Sequence, residues 1–173
     1  MLLVVDVQER LLPHIHNRDD VVQKAGLLID GFHALQRPIV VTEQYRKGLG
    51  PTVSALAEKL GEPGPSVHEK LKFSACIGPV RRDLDAAGAR SVLVCGIEAH
   101  VCVLQTCLDL ADQGLTVAVA LDAIGSRRAS DQAAAQERMI QAGIVPTTAE
   151  SALLELVHEA GTDRFRRVLP LLK

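Results

Sequence analysis

The sequence predicts an α/β protein: a single three-layer α/β/α domain, helices covering both faces of a mostly parallel sheet. Three observations carry this. Short runs rich in Val, Leu and Ile recur along the 173 residues, and each is followed by a stretch whose apolar positions have helical spacing. The runs are apolar at consecutive positions rather than at alternate ones, as in strands buried on both faces. No repeat and no domain-scale linker interrupts the alternation.

Taken in order, LLVVD (2–6) is an apolar strand ending in a carboxylate, with a turn around Pro13 after it. From Asn17 the spacing Val22, Ala25, Leu28, Phe32, Leu35 marks an amphipathic helix, Asn17 serving as its cap. PIVVTEQ (38–44) is the second strand, TVSALAEKL (52–60) a short helix, GEPGP (61–65) a loop and SVHEK (66–70) a brief strand. PVRRDLDAAG (79–88) reads as a helix stopped by Gly88, followed by the strand SVLVC (91–95) and the helix HVCVLQTCLDLADQG (100–114). The strand TVAVALD (116–122), a helix over 130–142, a last strand at 144–147, a helix over 149–160 and a short terminal helix complete the chain.

Composition narrows the function classes. A chain of this length buries about two thirds of its unfolded surface, so neither disulfides nor metals are needed for folding. A net charge of −2, no Trp, one Tyr and three Phe leave little with which to hold a polyanion or stack bases, so a nucleic-acid partner is not expected. No apolar run approaches the roughly 18 residues that cross a bilayer, and no basic leader precedes LLVV. A cytoplasmic protein is expected. The four cysteines, 76, 95, 102 and 107, form no CxxC pair and no zinc spacing, which predicts free thiols.

In a parallel sheet ligands gather outside the carboxyl ends of the strands. Three chemically able residues stand there: Asp6, Lys70 and Cys102. Each has an ordinary explanation as turn-former, solvated cation or small hydrophobe. Cys102 differs from Cys95 and Cys107 in falling within a first helical turn, where unpaired N–H groups and the dipole favour a thiolate.

These residues lie in blocks that resemble the isochorismatase-like family of cysteine hydrolases, in particular its small isochorismatase-domain hydrolases of uncertain substrate. The blocks are VVDVQERLLP (4–13), EKLKFSA (69–75), GIEAHVCVLQT (96–106), VALDAIGSR (119–127) and ERMIQAG (137–143), in register over nearly the whole chain. The resemblance implies an isochorismatase-like, Rossmann-like topology and an Asp–Lys–Cys triad of Asp6, Lys70 and Cys102. It also implies an oxyanion hole made by the backbone N–H groups of Glu98 and Cys102, with a cis peptide at Ile97–Glu98, and a homodimer or larger homo-oligomer.

The chemistry suits the residue types. A thiol with a pKa near about 8.5 is mostly protonated at neutral pH and needs a base or a neighbouring cation. Asp6 can take its proton, Lys70 favours both anions, and the thiolate can attack a carbonyl carbon whose oxyanion two N–H groups hold. On this reading Cys102 is the first thiol to be alkylated at pH 6. Lys72, two residues on, is the rival to Lys70.

Four further residues are candidates for substrate contact: Gln8 as pocket floor or, equally, a helix cap or backbone anchor, Gln44 as pocket lining, Tyr45 as pocket lining or a subunit contact, and His100 as a substrate bond or a structural histidine. The Glu98 side chain either reads a polar substrate group or joins a surface network. The segment TEQYRKG lacks the DxH-type metal pattern of nicotinamidases, and His14-Ile-His16 is a chance-level spacing, so no metal and no cofactor are expected. True isochorismatases lack the cysteine, so its presence points to amide, ureido or related C–N bonds of a small-molecule substrate. The alternative is a non-enzymatic binding or redox-sensing protein that keeps the fold and a reactive thiol. A nucleotide binder is disfavoured by the absence of GxGxxG and a P-loop, and a serine hydrolase by the absence of GxSxG.

Overall fold

The computed structural model describes all residues from Met1 to Lys173. Six strands, β1 (Leu2–Val5), β2 (Ile39–Gln44), β3 (Ser66–Lys70), β4 (Ser91–Ile97), β5 (Thr116–Gly125) and β6 (Val145–Thr147), form one sheet in the order β3-β2-β1-β4-β5-β6. Every pairing is parallel. The connecting helices are α1 (Arg18–Ala34), α2 (Arg46–Leu49), α3 (Ser54–Leu60), α4 (Gly78–Ala86), α5 (Leu104–Asp112), α6 (Ala129–Gln141), α7 (Ala149–Val157) and α8 (Asp163–Val168).

The consecutive apolar residues of β1 serve two cores because successive side chains leave opposite faces of a strand. Leu2 and Val4 pack with Leu28, Ile29, Leu56, Leu153 and Val168 from α1, α3, α7 and α8. Leu3 and Val5 pack with Val80, Leu84, Leu104, Leu110 and Met139 from α4, α5 and α6. All four β1 side chains are removed from solvent, worth roughly 2 kcal/mol apiece, and this fixes β1 in the middle of the sheet.

β4 can approach β1 closely because position 96 is glycine. Gly96 sits at φ 121°, and a Cβ there would come within 2.0 Å of the Val5 carbonyl oxygen. The tight contact lies immediately before the segment that carries Glu98 and Cys102.

Several sequence expectations shift. β5 runs to Gly125, not Asp122, because its register with β4 slips between Val94 and Gly96 and pairing resumes at Ile124. The helix predicted from His100 begins instead as a π-helical turn over Ala99–Val103, in which the Leu104 N–H reaches back to the Ala99 carbonyl, and becomes α-helical only at Leu104. The Glu98 carbonyl accepts both the Val101 and the Val103 N–H, which spreads that turn. Asn17 does not cap α1; its Nδ2 donates to the Ile124 carbonyl at 3.0 Å and ties the start of α1 to the end of β5. α7 ends at Val157, where His158 turns to φ 71°. The short α2 stands in TEQYRKGLG, where no helix was expected.

Candidate active site

The direction of sheet growth reverses between β1 and β4, and such a switch point opens a crevice at the carboxyl ends of its two strands. Asp6 follows β1 and Cys102 follows β4, so both stand at that crevice. Lys70 ends β3, two strands from β1 and so roughly 10 Å across the sheet, a span that a long side chain meeting a carboxylate can cover.

The structure joins all three. Lys70 Nζ lies 2.6 Å from Asp6 Oδ2, and both side chains are fully buried. Asp6 Oδ1 accepts from Thr42 Oγ1 at 2.8 Å, and the charge of the same carboxylate bears on the Cys102 thiol. The Asp6 backbone is left-handed, φ 54°, and its N–H donates to the Thr42 carbonyl at 3.1 Å, which turns the side chain inward past the end of the strand. The Lys70 ammonium is saturated, its three protons donated to Gln44 Oε1 at 2.8 Å, the Phe73 carbonyl at 2.8 Å and the Lys72 carbonyl at 3.2 Å. It is a fixed cation with no proton to spare for a ligand.

Electrostatics correct the expectation of a resting thiolate. Burial, then the Asp6 charge, push the Cys102 thiol up to about 12; Lys70 and a backbone group of Glu98 pull the other way without prevailing. The helical-turn argument fails because residue 102 is 5% exposed and faces a carboxylate. Burial also raises Asp6, opposed by Lys70, Thr42 and the Cys102 thiol. Both groups of the pair therefore hold a proton more tightly than they would in water.

The Ile97–Glu98 peptide is cis. No carbonyl accepts the Glu98 N–H, and it is the backbone group able to favour a Cys102 thiolate. The Glu98 carboxylate turns aside to Arg127, whose Nε lies 2.9 Å from Oε2. This is the network alternative. Gln8 is the backbone anchor: Oε1 accepts the Gln44 N–H at 2.7 Å, while Nε2 donates to the carbonyls of Gln44 at 3.1 Å and Gly50 at 2.6 Å. Gln44 in turn holds Lys70 and donates from Nε2 to the Leu71 carbonyl at 2.9 Å, which makes it a support for the ammonium. Tyr45, 49% exposed, lays its ring on Gly48, and no hydrogen bond joins its side chain to the cluster. His100 Nδ1 pairs with Ser126 Oγ at 3.0 Å. Lys72 is exposed and offers Lys70 only its carbonyl, because β3 ends at Lys70 and the chain then turns. His16 Nε2 pairs with Gln132 at 2.8 Å, and His14 is exposed.

Thr42, Phe73, Thr106 and Arg127 escaped the sequence reading. Thr42 carried a signal, a hydroxyl inside an otherwise apolar run; the Phe73 carbonyl carried none, since backbone acceptors leave no trace in residue type. The clefts of about 250–390 Å³ lie away from Asp6, Lys70 and Cys102, several of them along α1 and the amino ends of the strands. The Cys102 residue itself is 5% exposed.

Comparison with known proteins accords with this fold. Residues 1–151 match the isochorismatase domain family. The secreted isochorismatase effector Isc1 of Phytophthora sojae is 39% identical over 176 residues, covering 100% of this chain and 84% of its own. Isochorismatase domain-containing protein 2 of Danio rerio is 38% identical over 99% of this chain and 86% of its own. Among solved structures, the MAR1 ribonuclease of Caenorhabditis elegans superposes with a TM-score of 0.93 at 42% identity, over 99% of this chain and 88% of that one.

Proposed function

The chain belongs to the isochorismatase family, a hydrolase fold, and from that premise we propose that it is a metal-independent cysteine hydrolase of small amides, ureides or related C–N compounds. The observation that carries the reading is the buried Asp6–Lys70 ion pair, whose carboxylate acts electrostatically on the Cys102 thiol. Asp6 takes the thiol proton as Cys102 sulfur bonds to the carbonyl carbon, and the carbonyl π electrons move to oxygen, where the Glu98 and Cys102 N–H groups meet them. Collapse breaks the C–N bond, the Asp6 proton leaves on the amine, and an acyl-thioester remains. Asp6 then deprotonates a water that attacks the thioester, releasing the acid and returning the proton to Cys102. Lys70 stays charged throughout and keeps Asp6 oriented.

A nucleophile that is only 5% exposed favours small acyl groups. A redox sensor is the weaker alternative, because oxidation needs an exposed thiolate and this thiol is buried and protonated. RNA cleavage, named for the Caenorhabditis relative, asks for a polyanion surface that a chain of net charge −2 with few aromatics supplies poorly. The reading brings with it a reducing, cytoplasmic setting for the four free thiols and assembly as a homodimer or larger.

The test is a screen of small amides, ureides and activated esters in the presence of EDTA, with an RNA oligomer as a parallel arm. The reading expects acid product from wild type and a loss of about 10³-fold or more in Cys102→Ala and Asp6→Asn proteins that melt as wild type does. Turnover of RNA alone, equal in the Cys102→Ala protein, would overturn it.

A further inference from the structure

We propose that Thr106, one helical turn beyond the nucleophile, is a positioning residue that locks the Cys102 turn to the loop gripping the Lys70 ammonium. Its side chain is fully buried on α5. Thr106 Oγ1 donates to the Cys102 carbonyl at 2.6 Å and accepts the Ala75 N–H at 2.8 Å, so its one proton and a lone pair are both committed. Two residues before Ala75, the Phe73 carbonyl receives Lys70. Bonds run from the Cys102 backbone through the Thr106 hydroxyl to Ala75, and from the Phe73 carbonyl through the Lys70 ammonium to the Asp6 carboxylate, whose charge bears on the Cys102 thiol.

A threonine back-bonded to the carbonyl four residues earlier is ordinary in a helix. Here the carbonyl belongs to the nucleophile, in a turn that is π-helical, and the same oxygen anchors a second segment. Without that pin, the turn bearing Cys102 and the loop bearing the Lys70 acceptors can shift against each other while each keeps its own internal bonds. Misplacement of a reacting group by about 1 Å costs on the order of a hundredfold in rate. The hydroxyl thus sets the distance between thiol and base without touching a substrate.

The kinetic part of the test rests on the acyl-transfer reading; the alkylation part does not. Wild type, Thr106→Val, which keeps shape and loses both bonds, and Thr106→Ser, which keeps both, are compared with two probes. With 4-nitrophenyl acetate, acylation of Cys102 is expected to slow about tenfold or more in Thr106→Val and to stay within about threefold of wild type in Thr106→Ser. With iodoacetamide, the ratio of Cys102 to Cys76 labelling is expected to rise about threefold or more in Thr106→Val alone, as the thiol leaves the carboxylate, while Cys95 and Cys107 stay protected. These opposite changes separate positioning from loosened folding, which would expose all four thiols together. If wild type forms no acetyl-Cys102, the hydrolase reading falls and the labelling ratio still decides. An unchanged ratio in a folded Thr106→Val protein, or uniform exposure of the cysteines, overturns the proposal.

Discussion

Replacing Lys70 by Met probes the buried charge pair on which the site is built. At 2.6 Å and an effective dielectric of 20, the attraction between the two charges is about 6 kcal/mol, part of which offsets the desolvation of the ammonium. Met fills similar space, but Asp6 loses its counter-charge, and Gln44 and the Phe73 carbonyl lose their donor. The expected loss is about 3–5 kcal/mol at pH 8, a large share of the 5–15 kcal/mol typical of a domain. Its pH dependence is the signature. Stranded Asp6 holds a proton in the folded state that the unfolded chain, with a carboxyl near about 3.9, has released, so the unfolded state binds fewer protons. Stability of the variant relative to wild type then falls as pH rises past the point where Asp6 ionises in folded wild type, itself above the ordinary carboxyl range, by up to about 1.4 kcal/mol per unit, until Asp6 ionises in the folded variant too. Urea unfolding of both proteins at pH 5 and pH 8 measures it. A loss of equal size at the two pH values would show that Lys70 and Asp6 are not a charge pair.

Other perturbations read other parts of the site. Gly96→Ala places a methyl 2.0 Å from the Val5 carbonyl at a φ that side chains rarely adopt, and is expected to cost about 4 kcal/mol or more, or to prevent folding; a variant within about 1 kcal/mol of wild type by denaturation would contradict the close approach of β1 and β4. Iodoacetamide labelling of Cys102 in the free protein is expected to climb about tenfold per pH unit from pH 6.5 to 9, since the thiol is pushed up to about 12; a plateau below pH 8 would mean an ionised resting sulfur. Cys76, the most exposed of the four thiols, should label first at pH 7, which peptide mapping would reveal. Arg127→Met removes a partner that is mostly in solvent, so stability should move by less than about 1 kcal/mol. The stranded Glu98 carboxylate beside the proposed oxyanion donors should nevertheless slow acylation about tenfold, and an unaltered rate would detach that pair from the chemistry.

The apolar runs announced the sheet because a strand buried on both faces has no freedom to be polar, and Asp6, Lys70 and Cys102 could be seen because each is chemically conspicuous where a strand stops. Side-chain commitments were harder to read. Gln8 reads equally as pocket floor or backbone anchor and Gln44 as pocket lining, and only the fold shows that their amides complete backbone and ammonium hydrogen bonds with partners 26 to 42 residues away. The state of the sulfur was misjudged for the same reason. Position in a helical turn is local, whereas burial and the facing Asp6 charge arise only when β1 and β4 lie side by side.

The most direct measurement is peptide mapping of the acid-quenched protein during turnover of 4-nitrophenyl acetate or of any amide found by screening. The account predicts one acyl group per chain, on Cys102, formed and lost at rates that support the observed turnover, and absent when Asp6 is Asn. Turnover that continues with Cys102 unmodified, or an acyl group carried by Cys76 or Lys72 instead, would contradict it.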